Sequence, residues 1–372
     1  MADDIFCMDE TGQTGASAKA ARRGLTRRRL LQAGAATLAM PAVFGSARAS
    51  NGEVIVRSPG GALGEAAATA IYEPFTQETG ITVVPVPTSV GKLYAMQASG
   101  NIEIDLVETS AAQLIDFDKL DALLPVDYDG FRYTDPEDLE EVDRSPNHVT
   151  NYFFSTVLAY NSQHFAGGHP GSWAEFWDVE KFPGSRVLQD IASGELPLEF
   201  ALLADGVAVE DLYPLDVDRA FRSLDRIKAH VISYFSSAAP VTQMLATGEA
   251  AAAAIWNGHA QANKDAGGVV DIEWNQGMLA AQGMGILKGA VNVENARKLM
   301  DFALRPESQA AIFSRQIRGP SNRKALELMS PEVLAKVPNS AEHMATGFRR
   351  NALWWNENLE KVGQRWAEWR LT

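Results

Sequence analysis

The turn Ser58-Pro59-Gly60-Gly61 stands between an alternating apolar segment and an alanine-rich one, and its glycine pair can bring backbone amides to an anionic group. Paired glycines let backbone amides come close to an anion where a helix begins, since no Cβ intervenes and the first helical amides lack partners. Little else reads as reactive. The chain has no G-x-S-x-G, no G-x-x-x-x-G-K-[ST], no G-x-G-x-x-G and no H-E-x-x-H. The histidines are scattered. His164 and His169 come nearest to metal-ligand spacing, but they sit in the glycine-rich stretch around Gly167 and Gly168 without cysteine partners. The carboxylates are too many to pair by sequence, and nothing singles out two of them as a hydrolytic acid and base. The expectation is a binding protein with no catalytic set, no metal and no cofactor.

The elements that must position any ligand group alternate in type. Glu53 to Arg57 reads as a strand and the alanine-rich Glu65 to Thr79 as a helix closed by Gly80. Ile81 to Val86, Lys92 to Ser99, Ile104 to Val107 and Ala111 to Lys119 continue as strand, helix, strand, helix. That order predicts an α/β lobe with a mainly parallel sheet and a ligand cleft at the strand ends. Residues 127 to 147 are acidic and irregular, and read as a solvated loop. Alternation then resumes through Ser155 to Tyr160, Trp173 to Trp177, Arg186 to Gln189, Leu196 to Ala204, Asp216 to Lys228 and Ala250 to Trp256, which predicts a second lobe of the same class. Asn292 to Leu304 has the spacing of a helix with one buried face, and Asn292 stands where a cap belongs.

Arg27, Arg28 and Arg29 run into Leu30, Leu31 and the short apolar stretch Ala33 to Val43, followed by the small residues Ala47 and Ala49. These are the three parts of a cleavable export leader, and the adjacent arginines point to the twin-arginine route. The apolar stretch falls short of the roughly 20 residues that a membrane-spanning helix needs. Cleavage before Ser50 would release a soluble periplasmic chain with 26 basic and 43 acidic residues, a formal charge of -17. Such a surface repels polyanions and makes nucleic acid an unsuitable partner. The one cysteine, Cys7, falls in the leader, so the released chain has no disulfide and rests on its core.

The stretch from Gly248 to Ala325 is the most specific. It contains Gly248-Glu249-Ala250, Ile255-Trp256-Asn257-Gly258, Asp271-Ile272-Glu273-Trp274, Asn295-Ala296, Asp301-Phe302, Arg305-Pro306-Glu307 and Gly319-Pro320-Ser321-Asn322. Earlier come Phe75 to Gly80, Asp105-Leu106-Val107, Ser172 to Trp177 and Lys181-Phe182-Pro183-Gly184. In this order the set resembles the periplasmic spermidine/putrescine-binding proteins of ABC importers. The resemblance implies an α/β, two-lobed type II periplasmic-binding-protein fold, with residues 51–159 and 285–318 in lobe I and residues 160–284 and 319–372 in lobe II. The ligand would lie between lobes that close by hinge motion, and the closed form would engage an inner-membrane ABC permease.

By the same resemblance Trp256, with Asn257 beside it, is the aromatic ligand contact, an indole face that attracts ammonium by cation–π interaction; the alternative is a residue that ends a buried strand. Asp190 falls where polyamine proteins keep an acid for an amine, or it caps a helix. Two departures redirect the ligand. Ala280 and Gln282 occupy the places of an aromatic residue and an aspartate, and Ser58, Gly60 and Gly61 replace an aromatic and polar turn. Gln282 gives hydrogen bonds but no charge, so one ammonium box is gone. The shift favours a ligand with one amine and one carboxylate, and Arg318 and Lys92 are the candidate carboxylate partners unless they are surface charges. The expected protein is a monomeric substrate-binding subunit for a small amine-bearing or zwitterionic solute, such as a polyamine or an ω-amino acid like 4-aminobutyrate. The rivals are an exported enzyme on this scaffold and a sensory binding protein. Iron is disfavoured, since no adjacent tyrosines supply hard oxygen ligands.

Overall fold

A computed structural model describes residues 52–58 and 60–372. The leader and its arginines lie outside the described residues, as do Asn51 and Pro59. The first strands are β1 (Glu53–Ser58), β2 (Thr82–Pro87) and β3 (Leu106–Ser110). β1 buries Val54 and Val56 on alternate positions, and both β2 and β3 pair with it in parallel. The helix between β1 and β2 covers residues 61–79, four residues longer at its start than predicted, and carries a π-helical turn at Ala68–Tyr72. Gly80 ends it at φ 72°, a conformation that glycine adopts without strain.

β4 (Val149–Asn161) and β8 (Val270–Ile286) are the long strands, 13 and 17 residues, and they pair antiparallel with two register shifts. The others are β5 (Arg186–Gln189), β6 (Val231–Phe235), β7 (Ala252–Trp256) and the two-residue β9 (Gly319–Pro320) and β10 (Phe348–Arg349). Together they form one mixed sheet in the order β2-β1-β3-β8-β4-β7-β5-β6, with β9 beside β4 and β10 beside β8. The mainly parallel character expected of each half holds for β1 to β3 and for β5 to β7, while β4 and β8 join the halves antiparallel.

Four apolar clusters cover the two ends of this sheet. Val54, Phe75, Leu299, Phe302 and Phe313 pack on one face of the first half, and Leu93, Val107, Leu114 and Phe117 on the other. Trp173, Phe200, Leu224, Trp355 and Trp366 cover one face of the second half, and Val187, Leu245, Ile255 and Ile272 the other. β4 and β8 contribute to both halves: Tyr152 and Met284 join the first, Leu158 and Met278 the second.

This packing bears on two expectations. Ala325, Met329 and Val337 share a core with Val54, while Lys336 pairs with Asp265 and His343 stacks on Trp274 before Phe348, Trp355 and Trp366 join the core of the second half. The acidic segment 127–147 is also more than a solvated loop. It contains three 3₁₀ turns, buries Leu139 and Asp143, and holds Asp143 Oδ1 3.1 Å from the Arg349 guanidinium.

Candidate functional site

A cavity of about 310 Å³ lies where the two halves face each other. Arg57, Thr109, Ser110 and Gln113 line it from the first half, and Ser193, Gly194, Glu195 and Arg350 from the second. Phe154, Ala280 and Gln282, on the joining strands β4 and β8, complete the wall. Arg57 and Ser110 stand at the carboxyl ends of β1 and β3, where open α/β sheets place their ligands. Ser110 caps the helix Ala111–Lys119 by accepting from the Gln113 amide at 3.4 Å, so that helix directs its N-terminal dipole at the same space.

Arg57 is held by backbone carbonyls. Its Nε donates to Thr88 O at 2.9 Å and its Nη1 to Glu108 O in a short bond. Burial pushes the guanidinium down from its usual value, and the nearby Glu108 opposes that shift. Glu108 is itself pushed up by burial, against the hydrogen bond from Asn151 and the charges of Arg57 and Arg318. No salt bridge joins Arg57 to an acid among the described residues, and although it feels the charge of Glu108 its side chain lines the cleft, where it can meet an anion.

Glu195 supplies the opposite charge. The residue is 4% exposed, and its Oε2 accepts from Thr156 Oγ1 at 2.7 Å and from Trp256 Nε1 at 3.1 Å. Oε1 has no hydrogen-bond partner in the protein. A buried carboxylate oxygen left open is costly unless a donor completes it, and an ammonium group does so with a charge-assisted bond. The 3₁₀ turn Ile191–Ser193 brings Glu195 into place, and Ser193 Oγ accepts from its amide at 3.3 Å.

The residues singled out by sequence separate into groups. Gln282 lines the cavity, with Ala280 beside it. Trp256 stands one layer behind: its indole holds Glu195 and meets Phe154 edge-on at 6.1 Å. Asn257 is corrected. It is fully buried, accepting from Ser155 N at 3.0 Å and donating to Ile317 O at 3.2 Å, so both ends of its amide are engaged within the fold. Asp190 is also corrected toward the cap: Oδ1 accepts from the Ala192 amide at 3.2 Å and Oδ2 from Trp366 Nε1 at 3.2 Å, with Arg370 at 3.8 Å.

Lys92 is corrected to a surface charge, half exposed and paired with Glu103 at 2.8 Å. Ser58, Gly60 and Gly61 do not line the cavity. Ser58 Oγ takes the Gly60 amide at 3.1 Å, so the glycine turn starts the helix at Gly61 with φ 70° and 54° at its two glycines. Arg318 lies against Gly258, its Nη1 2.5 Å from where a Cβ would stand, which explains the glycine there. Its Nε and Nη1 are buried without partners, but it too is outside the cavity lining.

Arg57, Glu195 and Arg350 were not found by sequence reasoning. Arg57 had a usable signal, since a charged residue at the end of the first strand of an α/β lobe falls at the cleft. Glu195 and Arg350 had none, because only the tertiary turn and the pairing of β10 with β8 decide which way they face. Among the described residues no group of three or more His, Cys, Asp and Glu could hold a metal ion, and no helix is long and apolar enough to cross a membrane.

Residues 70–345 match the bacterial extracellular solute-binding protein family. The γ-aminobutyric acid-binding protein of Pseudomonas aeruginosa is 32% identical over 338 residues, covering 87% of this chain and 92% of the relative. The spermidine/putrescine-binding periplasmic protein of Escherichia coli is 28% identical over 272 residues, 71% and 77% of the two chains. Among solved structures, an ABC transporter substrate-binding protein from Bradyrhizobium japonicum superposes with a TM-score of 0.80 at 35% identity, over 86% of this chain and 99% of the other.

Proposed function

This chain belongs to the bacterial extracellular solute-binding proteins, and from that premise we propose that it is the substrate-binding subunit of an ABC importer for a small zwitterion of the ω-amino acid type. It binds and delivers the solute without transforming it. The observation that carries the ligand class is the open Oε1 of buried Glu195 in one wall of the cleft, with the unpaired guanidinium of Arg57 in the other. An ammonium completes Glu195 while a carboxylate meets Arg57, Ser110 and the start of the helix Ala111–Lys119. The resemblance to the γ-aminobutyric acid-binding relative supports this reading over a polyamine, which would set further ammonium groups against Arg57.

In the proposed cycle β4 and β8 act as the hinge, and a closed form delivers the solute to an inner-membrane permease. Lobe I takes residues 51–159 and 285 to about 337, extended by the packing of Ala325, Met329 and Val337. The chain works as a monomer in the periplasm, exported with a twin-arginine leader cleaved before Ser50. Calorimetric titration with 4-aminobutyrate, putrescine and spermidine tests the ligand class. Binding of 4-aminobutyrate at least tenfold tighter than either polyamine is expected; the reverse order overturns it.

A further inference from the structure

Three charged residues line the cleft, and they do not balance: Arg57 and Arg350 face a single acid, Glu195. A zwitterion with one ammonium and one carboxylate uses Glu195 and Arg57 and leaves Arg350 in excess. We propose that Arg350 forms a second anion-binding subsite beside Glu195, so that the preferred solute is an amino dicarboxylate whose second carboxylate lies close to its nitrogen. This rests on the zwitterion reading above and narrows it.

Arg350 has the geometry of a receptor group. Its Nη2 reaches only the Gly194 carbonyl, at a long 3.4 Å, and its Nε is buried without any partner. Gly194 is the neighbour of Glu195 in the same wall, so a group on Arg350 is close to a group on Glu195. The guanidinium is held in place: its carbon stands 4.6 Å from the Trp355 ring centroid, and the Arg350 amide donates to Leu279 O at 2.8 Å.

Buried Glu199 acts on Arg350 through its charge, but among the described residues no salt bridge joins the two. Glu199 Oε1 accepts from Tyr213 Oη at 2.6 Å and Trp355 Nε1 at 2.5 Å, while its buried Oε2 has no hydrogen-bond partner. Burial pushes the Glu199 carboxyl up, toward its neutral form. A guanidinium with an open buried donor in a cleft wall is completed by a carboxylate, which accepts from two nitrogens at once. Arg57 cannot serve both carboxylates, because it lies in the opposite half, fastened to Thr88 O and Glu108 O.

The test compares amines of equal chain length with and without a carboxylate on the carbon that bears nitrogen. The probes are 4-aminobutyrate against both enantiomers of glutamate, 5-aminopentanoate against 2-aminoadipate, and putrescine, titrated calorimetrically at fixed pH and salt. At least one dicarboxylate is expected to bind tenfold or more tighter than its monocarboxylate partner. Arg350→Gln should reduce that preference at least tenfold, and Arg350→Lys should restore part of it, with circular dichroism checking the fold of each variant. Monocarboxylates that bind as tightly as their dicarboxylate partners overturn the inference and leave the zwitterion reading standing. Putrescine binding tighter than every other probe overturns both. An unchanged preference in a folded Arg350→Gln variant removes Arg350 from the site.

Discussion

The indole Nε1 of Trp256 donates to Glu195 Oε2 at 3.1 Å, joining the end of a central strand to a turn 61 residues earlier in the sequence. The same oxygen takes Thr156 Oγ1 at 2.7 Å, which leaves Oε1 as the open position. Trp256 thereby orients a carboxylate as well as adding an aromatic edge against Phe154. Its role in the proposed site is to present Glu195.

Trp256→Phe keeps most of the ring and removes the donor. Glu195 then loses one of its two fixed bonds, worth about 1.5 kcal/mol for a bond to a charged group, and affinity for an amine-bearing solute should fall roughly tenfold. Trp256→Ala should cost more, since Phe154 and Phe235 lose an edge contact as well. Calorimetry on both variants checks this, and unchanged affinity in Trp256→Phe would remove the indole from the site.

Asn257 makes a contrasting prediction because both ends of its amide are engaged in the fold. Asn257→Ala leaves the Ser155 amide and the Ile317 carbonyl without their partner in a buried setting, which should lower stability by about 2 to 3 kcal/mol. Urea denaturation measures the loss. A fall in affinity with no change in stability would return Asn257 to the ligand.

Glu199 should give the protein a pH dependence of the unusual sign. Its carboxyl is raised above the ordinary value by burial, with Arg350 and the bonds from Tyr213 and Trp355 opposing. The folded chain therefore holds this proton more tightly than the unfolded chain. The stabilising contribution is full below the unfolded value and is lost as pH rises from there through the raised folded value, at no more than about 1.4 kcal/mol per pH unit. Glu199→Gln keeps an acceptor for Tyr213 and Trp355 and cannot ionise. Relative to wild type it should gain stability as pH rises from about 4.5. Parallel stability curves for the two proteins across that range would refute the ionisation argument.

The local pattern carried most elements of the fold. Ala111–Lys119 and Arg186–Gln189 have their predicted bounds, since a serine cap and an apolar run mark them. β8 is not marked as a strand by its sequence, where Asp271 to Trp274 enters only through the resemblance and Gly277, Gly283 and Gly285 interrupt the run. Their cause is tertiary: a Cβ on Gly283 would stand 2.6 Å from Val149 O, so close pairing with β4 requires glycine there. The site was less legible for a related reason. Gln282 was found from a departure in a local motif, whereas Glu195 and Arg350 acquire meaning only from facing Arg57 across a cleft.

Gln282 gives the sharpest test of ligand charge. It lines the cleft on β8, with Ser110 of β3 and Tyr152 of β4 as its strand partners, so it stands on the Arg57 side of the joining strands. Gln282→Asp adds a carboxylate there and brings the cleft lining to two acids and two guanidiniums. A solute carboxylate bound at Arg57 then meets both a competitor for that guanidinium and a like charge, while the second ammonium of a diamine gains a counter-charge that the wild type withholds. Affinity for 4-aminobutyrate should therefore fall and affinity for putrescine rise, shifting their ratio at least tenfold, about 1.4 kcal/mol. Titration of both proteins with both ligands at the same pH and salt reads the ratio directly. A ratio that stays constant would mean that Gln282 does not set the charge class of the solute; a shift toward 4-aminobutyrate would place the ligand carboxylate elsewhere than on Arg57.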